Sequence, residues 1–109
     1  MKLSEAIRLG AMLWPQAYFA NSGLGTCALE AAGEALGVIW SRLHDTYPVL
    51  RDYTMCPILG KKRVVEFIIW DLNDCKHWTR ERIADWVGEC ESRESAPISD
   101  LREVVALNQ

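Results

Sequence analysis

The sequence of 109 residues lacks the segments that direct or anchor a protein outside the cytoplasm. No run of about 18 apolar residues occurs, so a transmembrane helix is not expected. The first residues have no apolar run leading to a small-residue cleavage site, so a signal peptide is not expected. The four cysteines are widely spaced, which favours reduced thiols over a disulfide framework. These absences predict a cytoplasmic protein with no membrane partner.

An excess of positive charge is also missing. Twelve Lys and Arg against fifteen Asp and Glu give a net charge of −3. This net negative charge disfavours nonspecific electrostatic binding to nucleic acid or to an anionic membrane. Nucleic acid is therefore not the expected partner.

Known catalytic motifs are absent as well. The sequence has no Gly-x-Ser-x-Gly elbow, no phosphate-cradling glycine loop and no His-Glu-x-x-His. His44 and His77 are the only histidines that could activate a nucleophile. The segment from Cys56 to Gly60 has the form of half a zinc knuckle, but its second cysteine is missing. We therefore expect no enzyme and no cofactor.

The remaining composition is that of one globular domain, since half of the residues are hydrophobic and a quarter are charged. Apolar residues at helical spacing predict a mainly α-helical bundle of about five helices. These helices are predicted from Ser4 to Trp14, over 27–36, 38–46 and 64–74, and from the N-cap Thr79 onward. A strand is the alternative for 64–70, a minor extended piece fits 17–20, and 48–63 is predicted to be irregular.

The predicted domain covers residues 1–91, and 92–109 is predicted to be a polar linker with a short, frayed helix from Asp100. The apolar residues that share one face of each predicted helix also predict the core. Its expected members are Ile7, Trp14, Leu29, Leu36, Ile68, Leu72, Ile83 and Val87.

A candidate working surface follows from two aromatic residues on the predicted fourth helix. Phe67 and Trp70 lie off its apolar stripe, and the basic cluster Lys61-Lys62-Arg63 directly precedes the helix. Exposed aromatic side chains are frequent contact hot spots. We therefore predict a protein-binding face built from these five residues. The alternative is that the helix from Asp100 covers Phe67 and Trp70 within the same chain.

Two other sites are weaker alternatives. Residues 64–88 have the pattern of a helix-turn-helix whose second helix ends at Gly88, which would indicate a DNA-binding transcriptional regulator. The residues after Gly88 are acidic, however, and would repel phosphates. The densest group of potential metal ligands is Asp71, Asp74, Cys75 and His77. Since Cys75 lies on the apolar side of the predicted helix, Asp71, Asp74 and His77 remain as candidates and would indicate a small metal-binding protein.

Two stretches resemble a known group of proteins. Thr26-Cys27-Ala28-Leu29, followed by the residues of 69–74 and 78–87, is similar to a pattern in small uncharacterised bacterial and phage-associated proteins. The likeness is close over 69–87 and loose over 3–90. This chain departs from the pattern at Glu30, where the group has glycine, and at Leu59, where a second cysteine would stand. The resemblance supports the helical fold.

These features together predict a small non-enzymatic module that binds another protein as a regulatory or inhibitory factor. The resemblance implies that such a factor is encoded on a phage or mobile element and acts against a host system.

Overall fold

Helices α1 (Leu3–Leu13), α2 (Ala28–Leu36) and α5 (Arg80–Glu94) carry most of the hydrophobic core in a computed structural model that describes residues 1–17 and 26–94. The shorter helices are α3 (Leu43–Thr46) and α4 (Val65–Trp70), and strands β1 (Tyr53–Met55) and β2 (Lys62–Val64) form one hairpin. Single turns of 3-10 helix cover Trp40–Arg42 and Pro48–Arg51, and a π-helical turn covers Asp71–Cys75. The prediction of a mainly α-helical domain is confirmed.

α1 lies against both α2 and α5. Its contact with α2 is closest at Gly10, where a Cβ atom would come within 1.9 Å of the carbonyl oxygen of Ala31. Only glycine allows the two backbones to approach this far, because any side chain would overlap the opposite helix. The small residues of α2, which include the buried Ala28, Ala31 and Ala32, complete this packing.

Both ends of α2 are set by local chemistry. Cys27 is its N-cap, since the Cys27 sulfur accepts from the Glu30 N–H and the Glu30 carboxylate accepts from the Cys27 N–H. At the other end Gly37 has φ of 72°, in the left-handed region, and its N–H donates to the carbonyl of Gly33. The predicted glycine stop is confirmed.

The hairpin corrects the prediction that 48–63 is irregular and that a helix begins at Val64. Antiparallel pairing places Tyr53 opposite Val64, Thr54 opposite Arg63, and Met55 opposite Lys62. Val64 is thus the last residue of a strand, and α4 begins at Val65. The hairpin was missed because side chains in a strand alternate between its two faces with a period of two residues. A search for apolar residues at the helical spacing of three or four does not detect that pattern in strands as short as β1 and β2.

The other boundaries differ from the predictions in smaller ways. The predicted helix over 38–46 is divided into a 3-10 turn and the single turn of α3, and α4 passes into a π-helical turn at Asp71. α5 begins after the cap residue Thr79, whose Oγ1 accepts from the Arg82 N–H at 3.1 Å, as predicted. It extends to Glu94, so residues 92–94 belong to this helix rather than to a linker.

The core contains six of the eight predicted residues in buried positions: Ile7, Leu29, Ile68, Leu72, Ile83 and Val87. Leu36 is partly buried against them. Trp14 is 48% exposed, so its prediction as a core residue is wrong. α1 ends at Leu13 and the backbone of Trp14 is extended, with φ of −135° and ψ of 143°. The helical stripe therefore does not continue to Trp14.

Several predictions fall on residues outside the described ranges. They are residues 18–20 of the extended piece predicted over 17–20, and the helix from Asp100. Immediately before the first of these segments, the Ala17 N–H donates to the carbonyl of Thr26 at 3.0 Å. Among the helices of the described ranges, none has the length and apolar character needed to cross a lipid bilayer.

Candidate protein-binding site

Four of the five residues predicted to form a binding face lie in regular structure: Lys62 and Arg63 in β2, and Phe67 and Trp70 in α4. The fifth, Lys61, directly precedes β2. Both lysines are exposed. Phe67 projects from α4 with 55% of its surface exposed. Neither lysine forms an ion pair with any residue in 1–17 or 26–94. Two cations and one aromatic ring are thus exposed to solvent within seven residues of the chain.

Arg63 and Trp70 have a different role in this surface. Arg63 is part-buried and forms an ion pair with Asp71, which joins β2 to the end of α4. Trp70 is part-buried and packs edge to face on Trp40, with ring centroids 5.1 Å apart and an interplanar angle of 68°. These two side chains hold the hairpin and α4 in place around the exposed residues.

Two further exposed apolar residues on the hairpin were not found from the sequence. Tyr53 is 72% exposed and Met55 is 51% exposed. They lie on one face of the sheet together with Lys62 and Val64, because directly opposite residues share a face. The signal available in the sequence was the strand preference of Tyr53 and Thr54, an aromatic and a β-branched residue.

The three candidate metal ligands are not arranged as a metal site. Asp71 is engaged by Arg63, and the buried Asp74 accepts a hydrogen bond of 2.7 Å from the Asn73 amide. His77 is exposed on a backbone with φ of 53°. Over residues 1–17 and 26–94, no three His, Cys, Asp or Glu side chains come close enough together to hold a metal ion.

The helix-turn-helix pattern is not formed as predicted from the sequence. Gly88 does not end a helix, because α5 continues through it to Glu94. A Cβ atom at Gly88 would meet only Ser4, at 3.8 Å and beyond. The glycine therefore lies in the interior of one long helix whose C-terminal half is acidic.

A buried polar network at the start of α5 was also missed from the sequence. Arg80 is only 5% exposed. Its guanidinium donates to Oγ1 of Thr26 at 2.8 Å and to the carbonyls of Ala11 and Trp14. These carbonyls belong to the C-terminal end of α1, where a cation is favoured by the helix dipole. Arg80 therefore ties α5 to the end of α1 and to the start of α2.

Asn73 extends the same network. Its amide nitrogen donates to the carbonyl of Ala17 at 2.9 Å, and its amide oxygen accepts from Gln16 at 3.0 Å. Gln16 also donates to the carbonyl of Trp78 at 2.8 Å. Asn73 and Arg80 thus bind Ala17 and Thr26, the described residues on the two sides of 18–25.

Burial shifts the pKa of two ionisable side chains in this region, Cys27 and Arg80. Burial raises the pKa of the Cys27 thiol to about 12, and the neighbouring Glu30 carboxylate acts in the same direction. Burial lowers the pKa of the Arg80 guanidinium from its ordinary value. A neutral thiol is a poor nucleophile, so Cys27 acts here as a helix cap.

Comparisons with known proteins add no further information. No family model matches the chain, and neither the curated proteins nor the solved structures include a significant match.

Proposed function

We propose that this protein is a small non-enzymatic binding module, a regulatory or inhibitory factor that docks on another protein through Lys61, Lys62 and Phe67. The observation that carries the proposal is the 55% exposure of Phe67, five and six residues after two exposed lysines that have no ion-pair partner in the described ranges. A large aromatic side chain left in water is typical of a contact hot spot.

The support around these residues strengthens the proposal. The Arg63–Asp71 ion pair and the Trp40–Trp70 contact connect the hairpin to α4 and α4 to the segment before α3. A surface that is already ordered loses little conformational entropy on binding. The partner therefore docks on a preformed face rather than on a segment that must first fold.

Charge indicates the chemistry of the partner. Residues 61–82 carry six basic and four acidic side chains, although the whole chain has a net charge of −3. A basic region in an acidic protein favours an acidic partner surface and suppresses contact with basic ones. We propose a partner with an apolar pocket for Phe67 and carboxylates around it.

The first experiment identifies the partner by photo-crosslinking. A benzophenone amino acid replaces Phe67 in one version of the protein and Met12, which is 82% exposed, in the control version. Both are expressed in the source cells. We expect one protein to be crosslinked from position 67 and not from position 12.

The second experiment measures the affinity of that partner for purified variants. Phe67→Ala is expected to weaken binding at least tenfold, about 1.4 kcal/mol, and to shift Tm by less than about 3 °C. The double variant K61E/K62E is expected to weaken binding most at low salt. Met12→Ala is the matched control and should leave the affinity unchanged.

Two outcomes would contradict the proposal. A large fall in Tm for Phe67→Ala would show that the ring is a core residue. Salt-dependent binding of the wild type to random duplex DNA, lost in K61E/K62E, would indicate nucleic acid as the partner instead.

A further inference from the structure

The outer edge of β1 carries backbone groups without a partner among the residues that the structure describes. The Val65 N–H donates to the Asp52 carbonyl at 2.8 Å, and the Cys56 N–H donates to the Lys61 carbonyl at 2.9 Å. In an antiparallel pair, hydrogen-bonded and non-hydrogen-bonded positions alternate. Thr54 therefore faces β2 with its N–H and C=O, whereas Tyr53 and Met55 direct theirs away from β2.

This edge also lacks the usual protection. Natural edge strands are commonly blocked by lysine, proline or a bulge. β1 has none of these, and its two outward positions bear the exposed apolar side chains of Tyr53 and Met55. Neither residue is bonded through its backbone to any other part of 1–17 or 26–94 beyond β2.

We propose that this edge pairs with the same edge of a second copy of the chain. The two β1 strands run antiparallel about a twofold axis at Thr54, so that the two hairpins form one four-stranded sheet. In this register Tyr53 of each copy lies opposite Met55 of the other. All four outward N–H groups and all four outward C=O groups of Tyr53 and Met55 are then paired, which no other antiparallel register achieves.

The side chains are complementary in the same register. Tyr53 and Met55 lie on one face of β1, so the tyrosine ring of each copy meets the methionine of the other. Twofold symmetry forms this contact twice. Sulfur–aromatic contacts of this kind are favourable. Two side chains that are 72% and 51% exposed become mutually covered.

Charges also match across the proposed interface. The ladder places Lys61 opposite Cys56, and the proposed register places Cys56 opposite Asp52 of the second copy. Lys61 and that Asp52 therefore share a face and are separated by two strand spacings, about 10 Å, within reach of a lysine and a carboxylate. Asp52 has no ion-pair partner among the residues described in the single chain, and twofold symmetry forms this pair twice.

The interface is small because the edge is only three residues long. It falls below the area of about 1,200–2,000 Å² that stable complexes bury. We therefore expect reversible self-association that increases with concentration. This inference shares only Lys61 with the proposed partner surface, since the backbone pairing uses the outer edge of β1 rather than β2 and α4.

Engineered cysteines test the register. In a Cys75→Ser background, which removes the exposed thiol among the described residues, Thr54→Cys is compared with Met55→Cys. Thr54 and its symmetry mate form a non-hydrogen-bonded pair about 4.5 Å apart between Cα atoms, within the range for a disulfide. Met55 and its mate are diagonal neighbours at about 7–8 Å, which is too far.

We expect Thr54→Cys to form a covalent dimer on mild oxidation and Met55→Cys to remain monomeric. Circular dichroism of each reduced variant confirms that it is folded. Equal crosslinking of both variants, or crosslinking of Met55→Cys alone, would overturn the register.

Sedimentation equilibrium of the full chain tests the association itself. The average mass of the wild type should rise with concentration, and the double variant Y53K/M55K should remain monomeric because four lysines would meet at the interface. M12K/I39K is the matched control, since it also places two lysines at exposed apolar positions, and it should associate like the wild type. A wild type that stays monomeric at the highest soluble concentration would overturn the proposal, as would equal loss of association in the control.

Discussion

The Arg80 guanidinium donates a 2.8 Å hydrogen bond to Oγ1 of Thr26, which lies 54 residues earlier in the chain. The same guanidinium binds two carbonyls at the end of α1. No carboxylate lies within ion-pair distance of Arg80 in the described ranges. One buried cation therefore joins three helices by binding backbone carbonyls and a hydroxyl.

Arg80→Ala should destabilise the protein by about 2–3 kcal/mol, because buried carbonyls lose a charged donor and remain unsatisfied. The matched control is Arg82→Ala. The Arg82 side chain is exposed and lies 3.7 Å above the Trp78 ring, a contact that contributes about 0.5–1 kcal/mol. Urea denaturation of both variants measures the difference. Equal losses would show that the Arg80 network adds little.

Gly10→Ala should lower the free energy of unfolding by about 1–3 kcal/mol or more, because the new methyl group would overlap the Ala31 carbonyl. Gly88→Ala is the opposite case. Its new Cβ would have ordinary contacts with Ser4, and alanine is favoured in a helix interior by about 0.5–1 kcal/mol. Thermal melting should therefore show changes of opposite sign in the two variants. A stabilised Gly10→Ala protein would contradict the close approach of α1 and α2.

Ile83→Ala should cost about 2–5 kcal/mol, the usual range for a large-to-small change in a core. Ile83 is fully buried on α5, whereas Ile39 is 69% exposed. Ile39→Ala is thus the control and should change stability by less than about 0.5 kcal/mol. A loss below half a kilocalorie for Ile83→Ala would mean that α5 is peripheral to the core.

The stability of the protein should decrease as the pH rises from about 9 toward 12. The pKa of Cys27 is raised to about 12 in the folded chain from an ordinary value of 9.0. The unfolded chain therefore releases this proton first, and deprotonation favours unfolding within that window. Burial also raises the pKa of Cys90, which acts in the same direction.

Cys27→Ser provides the test for this pH dependence. Serine retains an N-cap oxygen but does not titrate in this range. The variant should lose less stability than the wild type between pH 8 and pH 10.5, measured by urea denaturation at each pH. Parallel curves for the two proteins would show that the Cys27 thiol contributes nothing to the pH dependence.

Local features of the fold were predictable from the sequence because their causes lie within a few residues. The N-cap Thr79 and the glycine stop at Gly37 each depend on neighbours in the same turn. The burial of Ile68 and Leu72 follows from helical spacing in the same way. The exposure of Phe67 agrees with its position off the apolar side of the predicted helix.

The tertiary structure alone decided the remaining features, because each depends on residues distant in sequence. Val64 ends a strand since it pairs with Tyr53, eleven positions earlier. Trp70 is covered because Trp40 lies against it, and Arg80 is buried because the end of α1 supplies its acceptors. Spacing along one segment determines which face of a helix is apolar, but it carries no information on which distant partner will meet that face.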